Sequence, residues 1–127
     1  MTRRGKFLAM LSIPLLVAAT SPLGLKGVAG GLWEVSASAS GKDAVQRCIR
    51  DPLALAQWES RDKARCTRLI LDDKPGRVRV QYTCASGDFG RSDMEVITPR
   101  SIRIATQGIH DGFPFDQTYH ARRLGGC

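Results

Sequence analysis

Arg77-Val78-Arg79-Val80-Gln81-Tyr82-Thr83-Cys84 alternates without a break: Val78, Val80, Tyr82 and Cys84 fall on one side, Arg77, Arg79 and Gln81 on the other. A period of two sends successive side chains to opposite faces of a strand, so this stretch predicts a strand with one buried and one wet face. The same pattern recurs on both sides of it. Upstream, Asp73-Lys74-Pro75-Gly76 is a turn signal, and before it Thr67, Leu69 and Leu71 alternate with Cys66, Arg68 and Ile70. Downstream, Ser86-Gly87-Asp88 with Gly90 marks a second turn. Met94 and Val96 lead to Thr98-Pro99-Arg100, and Ile102 and Ile104 alternate with Arg103 and Ala105 until Gly108. Gly112-Phe113-Pro114 opens a last strand carrying Phe115, Gln117, Tyr119 and Ala121.

Nearer the N-terminus, Gly31-Leu32-Trp33-Glu34-Val35 reads as a first strand with Trp33, Val35 and Ala37 inward. Residues 43–63 differ in character. Asp51-Pro52 predicts a helix start, with Asp51 as N-cap and Pro52 in first position. Leu53, Leu55, Ala56 and Trp58 follow at helical spacing, on a helix too short to stand alone. The expected fold is therefore mainly β: an antiparallel six-stranded meander with one short helix packed on it. The pattern leaves open whether the sheet stays flat and open or curls into a partial barrel.

The first residues read differently from a domain. Thr2-Arg3-Arg4-Gly5-Lys6 is positive, and Phe7 to Ala19 is apolar except for Ser12. That run of about 13 residues fits a secretory signal core and falls short of the ~20 needed to span a bilayer. Val17-Ala18-Ala19 places small residues at a cleavage site, so residues 1–19 are expected to be a removable signal; Gly27-Val28-Ala29 is a later candidate. Residues 20–30, rich in Gly, Ser and Pro, are expected to be disordered, and residues 31–127 to form one β-rich domain. The formal charge of the 127-residue chain is +7. Arg3, Arg4, Lys6 and Lys26 supply four of those charges, so a chain beginning at Gly30 is only mildly basic. Such a charge suits solubility and weak attraction to anionic surfaces and gives no case for nucleic acid.

All four cysteines, Cys48, Cys66, Cys84 and Cys127, follow the signal, and an even count in an exported chain predicts two disulfides. A domain of this size buries a modest core, and in the chain-entropy model links closing about 18 and about 43 residues contribute ~3 and ~4 kcal/mol. No close Cys pair and no nearby His supports zinc instead. If Leu69 opposes Val80 and Leu71 opposes Val78, Cys66 points away from the core while Cys84 points into it. The favoured pairing is then Cys48–Cys66 with Cys84–Cys127; a direct Cys66–Cys84 link requires a bulge or a one-residue slip. A meander count argues the other way, since it sends Cys127 to the end opposite Cys84.

Three features carry a family likeness. They are Gly31-Leu32-Trp33-Glu34, the order of Cys48, Cys66 and Cys84 with Cys48 just before a helical stretch, and the closing Arg122-Arg123-Leu124-Gly125-Gly126-Cys127. Together they resemble the domain-of-unknown-function family 3617, small exported proteins of Proteobacteria. The resemblance spans about 31–127 and implies export to the periplasm or beyond, disulfides and a β-rich fold. It departs at Cys48-Ile49-Arg50-Asp51-Pro52-Leu53, where the family's Pro is shifted and its Glu is missing. It implies no activity and no site.

Candidate chemistry is sparse. His110 beside Asp111 suggests a base with an orienting carboxylate, but neighbours on a loop seldom face each other and no nucleophile stands beside them. His120 falls on the polar side of the last strand. Asp93 and Glu95 share a polar face, and two carboxylates about 5–6 Å apart can serve hydrolysis; Arg103 is available to neutralise them. Asp72-Asp73 is a further acidic pair. Arg68, Arg77, Arg79, Arg91, Arg100, Arg103, Arg122 and Arg123 form an anion-attracting stripe if they align, and otherwise a solvated surface that discourages edge pairing. Trp33, Tyr82, Phe115 and Tyr119 read as core, which leaves no stacking platform for single-stranded nucleic acid. Trp58, Phe89, Phe113 and Phe115 are the candidates for an apolar pocket at the sheet end, or for a plug filling it.

The expected function is that of an exported, non-enzymatic binding or envelope-maintenance module. Its expected partner is a small apolar ligand or an anionic envelope lipid, with no cofactor, no nucleic acid and no membrane span after signal removal. The alternatives are a small periplasmic hydrolase and a purely structural interaction protein.

Overall fold

The computed structural model describes residues 13–14 and 21–127. The expected signal, residues 1–19, lies outside the described residues apart from Ile13 and Pro14. Seven strands form one antiparallel sheet: β1 Gly31–Ser36, β2 Val45–Ile49, β3 Cys66–Lys74, β4 Arg77–Cys84, β5 Phe89–Thr98, β6 Ser101–His110 and β7 Phe113–Gly125. Their order across the sheet is β2-β1-β7-β6-β5-β4-β3. β3 to β7 are the expected meander. The strand missed in the sequence is β2, whose residues are exposed or half-buried along its length. An edge strand with neither face covered shows no alternation, so nothing in Val45-Gln46-Arg47-Cys48-Ile49 signals it. β1 does not continue into the meander; it pairs with β7, Val35 opposite Ala121, and closes the sheet from the other end. β2 and β3 remain the two outer edges, so the sheet is open.

Because β2 and β3 lie at opposite edges, the chain between them must cross the sheet, and this crossing is the second layer. It contains the expected short helix as a 3₁₀ segment, Pro52–Ser60, kinked at Gln57. The Asp51 side chain accepts from the Leu53 N–H at 3.0 Å, the expected cap. Leu55, Ala56 and Trp58 are buried against Trp33, Val78, Val80, Met94 and Ile104 from the sheet. Each large apolar side chain removed from water there contributes about 1.5–3 kcal/mol. Arg77, Arg79, Gln81 and Thr83 stand on the opposite, uncovered face.

The segment expected to be disordered is ordered where described. Leu23–Leu25 makes a 3₁₀ turn against β3 and β4, and Leu25 is buried. The reason lies in partners that the local sequence does not show. Leu23 and Gly24 N–H groups donate to the Asp73 carboxylate at 2.9 and 2.7 Å, and Trp33 Nε1–H donates to the Ala29 carbonyl.

The disulfides are Cys48–Cys127 and Cys66–Cys84, not the favoured pairing. Two register facts explain this. Ile70, not Leu69, opposes Val80, so the β3–β4 ladder is slipped by one residue and Cys66 sits directly opposite Cys84. An irregularity between Ile70 and Asp72 then shifts the register by one residue more, so that Asp72 opposes Arg79 and Asp73 opposes Val78. Leu69 and Leu71 are consequently exposed edge residues rather than core. At the other edge Leu32 opposes both Cys48 on β2 and Gly125 on β7, which brings the tail to Cys48.

Candidate functional site

The uncovered face is set by the ladder. Arg77 opposes Glu95 and Arg79 opposes Asp93 across β4 and β5. Both pairs are closed as ion pairs, at 3.5 and 2.8 Å, with side chains about half exposed. Arg122 holds Glu34 at 2.6 Å on the same sheet. Asp93 and Glu95 are therefore each neutralised by arginine on open surface, and Arg103 only adds to this, standing opposite Glu95 on β6. Asp72 is likewise paired, with Lys74 at 3.3 Å. Arg68 points to the other side, donating to Gln57 at 2.8 Å, and Arg100 and Arg123 serve backbone carbonyls. The expected arginine stripe is thus an alternation of charges. Among the described residues, Arg91 and Arg103 make no ion pair.

Where β5 and β6 meet near one end, Gly90 faces Gly108, and Tyr82 and Phe115 flank them across the ladder. Two facing glycines let the Tyr82 ring and the β5 backbone approach closely. A Cβ on Gly108 would meet the Phe89 carbonyl at 2.1 Å, and one on Gly90 would meet the Tyr82 hydroxyl at 2.6 Å, so neither position admits a side chain without movement. Beside them lies a hollow of about 610 Å³ lined by Phe89, Ile109 and Phe115 with Arg91, Gln81 and Gln107. Of the four aromatics expected to share a pocket, the structure brings only Phe89 and Phe115 together here. Trp58 is buried in the core, with the Arg61 guanidinium 4.7 Å over its ring. Phe113 is exposed at the β6–β7 hairpin. Tyr82 is core, as expected; burial pushes its phenol pKa up, and its hydroxyl has no hydrogen-bond partner among the described residues.

A second polar cluster lies at that end, on the helical side. Asp88, in the β4–β5 turn, is buried. Its Oδ2 accepts from Ser60 Oγ at 2.8 Å and lies 2.6 Å from Nδ1 of His110, and its Oδ1 accepts from the Asp111 N–H at 3.1 Å. Burial works against the ionised carboxyl. Ser60, the Asp111 N–H and His110 together outweigh it and hold the Asp88 pKa below the usual value. On the other side of the ring, Nε2 of His110 is 3.3 Å from Oδ2 of Asp111, whose carboxylate also pairs with Lys63. Tyr119 donates to Glu59 nearby; burial and that carboxylate raise its phenol pKa. Glu59, Lys63, His110, Asp111 and Tyr119 line an open recess of about 470 Å³.

This cluster contains Ser, His and Asp, yet its geometry is not that of a nucleophilic triad. In a triad the hydroxyl and the carboxylate occupy different ring nitrogens. Here Ser60 is fully buried, donates its hydrogen bond to Asp88, and stands 3.5 Å from the same Nδ1 that Asp88 holds. Asp88, His110 and Asp111 each offer one donor atom within 4.8 Å of the others, enough to hold a metal ion. The Asp88 oxygens are already taken by N–H and O–H donors, and Asp111 by an ammonium. What the arrangement does is fasten three turns: the end of the 3₁₀ segment, the β4–β5 turn and the Asp111-Gly112 hairpin. Both central residues of that hairpin have positive φ, 49° and 81°, the two-residue turn that Asp-Gly favours. Sequence reasoning found His110 and Asp111 but missed Asp88 and Ser60. Their partners lie 22 and 28 residues away, and only the polar Asp88 beside the strand end hinted at a fixed turn.

A family model described as a protein of unknown function, DUF3617, matches residues 28–127. No curated protein and no solved structure matches the chain. Among the described residues no helix is long and apolar enough to cross a membrane.

Proposed function

The chain belongs to the DUF3617 family of proteins of unknown function, and from that premise we propose that it is an exported, non-enzymatic binding module for an anionic amphiphile of the cell envelope. The ligand of this reading has an apolar body and a negative head, and it arrives as a single molecule. One observation carries it: the hollow over Gly90 and Gly108 joins Phe89, Ile109 and Phe115 to Arg91, a cation without an ion pair among the described residues. Phe89 is 49 % exposed, and an aromatic left half in water beside a free guanidinium suits a chain lying on the ring with its acid at the cation. The periplasm or cell exterior is the proposed location, supported by the signal-like start and two disulfides. Binding rather than catalysis is favoured because the acidic pairs are neutralised by arginine and Ser60 is sealed behind Asp88.

The test is titration of the folded protein with a fluorescent medium-chain fatty acid. Saturable binding that weakens in Arg91→Glu and in Phe89→Ser, and that is weaker for the matching alcohol, supports the reading. Absence of binding, or equal binding by both variants, overturns it. Vesicles of phosphatidylcholine with and without phosphatidylglycerol separate capture of a monomer from adhesion to a charged bilayer.

A further inference from the structure

The sequence offers two places where an export leader can be cut, after Ala19 and after Ala29, and the folded body distinguishes them. From Pro22 onward the chain is built into the domain at three points. At the first, the Leu23 and Gly24 N–H groups donate to the Asp73 carboxylate on β3. Gly24 lies so close to β4 that a Cβ there would sit 2.3 Å from Val78 Cγ2 and 2.5 Å from the Arg77 carbonyl. At the second, Leu25 is 3 % exposed within the core cluster, and Val28 packs against the same cluster. At the third, the Ala29 carbonyl accepts from Trp33 Nε1–H at 3.3 Å and the Gly30 carbonyl from Arg123 Nε–H at 2.9 Å, which ties the segment to β1 and β7.

We infer that the leader is removed after Ala19 and that the chain from Pro22 to Gly30 stays in the mature protein as a strap across the covered face. A cut after Ala29 would strip Leu25 and Val28 from the core, bare the apolar surface they cover on β4, and leave the Asp73 carboxylate without its two donors. A cut after Ala19 keeps every one of these contacts, with Thr20 and Ser21 as the lead-in to Pro22. Lys26 is then retained, so the mature chain carries one more positive charge than a chain beginning at Gly30.

This inference rests on the export reading, and the experiment separates the two. The full 127-residue chain is expressed with its own leader in a Gram-negative host, and the product is identified by non-reducing intact mass. A periplasmic product beginning between Thr20 and Pro22 is the expected result. A periplasmic product beginning at Gly30 overturns the inference and leaves export standing. A chain retaining residue 1 overturns both. In a second arm, purified chains beginning at Thr20 and at Gly30 are unfolded in urea. The shorter chain is expected to unfold at a clearly lower midpoint, and equal midpoints overturn the strap.

Discussion

Nδ1 of His110 lies 2.6 Å from Oδ2 of Asp88, a carboxylate only 2 % exposed. This contact joins two turns 22 residues apart, and the Ser60 hydroxyl brings in the end of the 3₁₀ segment. Asp88→Ala leaves a buried hydroxyl, a ring N–H and a backbone N–H without an acceptor. The expected loss is about 2–4 kcal/mol in urea unfolding at neutral pH, with Asp88→Asn losing less because its amide oxygen still accepts.

The same carboxylate sets a pH dependence. Its folded pKa is depressed, so its contribution is fully present above the unfolded carboxyl value of about 3.9 and is lost as pH falls through the folded value. Wild-type stability should therefore fall more steeply between neutral pH and pH ~2 than that of Asp88→Asn. Parallel urea midpoints for the two proteins across that range would show that Asp88 does not carry the effect.

The two disulfides differ in access. Cys48 and Cys127 are both exposed, whereas Cys84 is buried and Cys66 half-buried. Limited reduction followed by alkylation should label Cys48 and Cys127 first. Loops of 79 and 18 residues give the reduced links different weights. Removing Cys48–Cys127 should cost roughly 4–5 kcal/mol and Cys66–Cys84 about 3, read from urea unfolding of the paired Cys→Ala variants.

Gly108→Ala should destabilise by about 1–3 kcal/mol, because the added methyl meets a β5 carbonyl that cannot swing aside. Gly125→Ala, where a Cβ meets nothing within 4 Å, serves as the control and should change thermal stability little. The double change Asp93→Asn/Glu95→Gln breaks two exposed ion pairs and should cost no more than about 1 kcal/mol.

The sequence was legible where a strand has one dry face and one wet one. Val78, Val80 and Tyr82 on β4, and Ile102 and Ile104 on β6, are core as their alternation requires. It was silent at β2, which has no dry face, and at the strap, whose order depends on Asp73 some fifty residues away. It misled at Leu69 and Leu71, where an edge strand carries apolar residues outward and the alternation alone places them in the core. The slip there decided the disulfides, and the sequence stated the condition for it, a bulge or one-residue shift, without a means of choosing. For the site, Trp58, Phe89, Phe113 and Phe115 all read as pocket candidates, and only Phe89 and Phe115 line one hollow, because Trp58 is buried in the core and Phe113 is exposed. That Gly90 faces Gly108 beside it is a cross-strand register that no local pattern encodes.

The central claim is an oxidised sheet whose edge strands are held by sulfur links in one register. Non-reducing peptide mapping of protein isolated from its own cells tests it directly. The expected result is two linked peptide pairs, Cys48 with Cys127 and Cys66 with Cys84. Four free thiols, or Cys48 joined to Cys66 and Cys84 to Cys127, would contradict it.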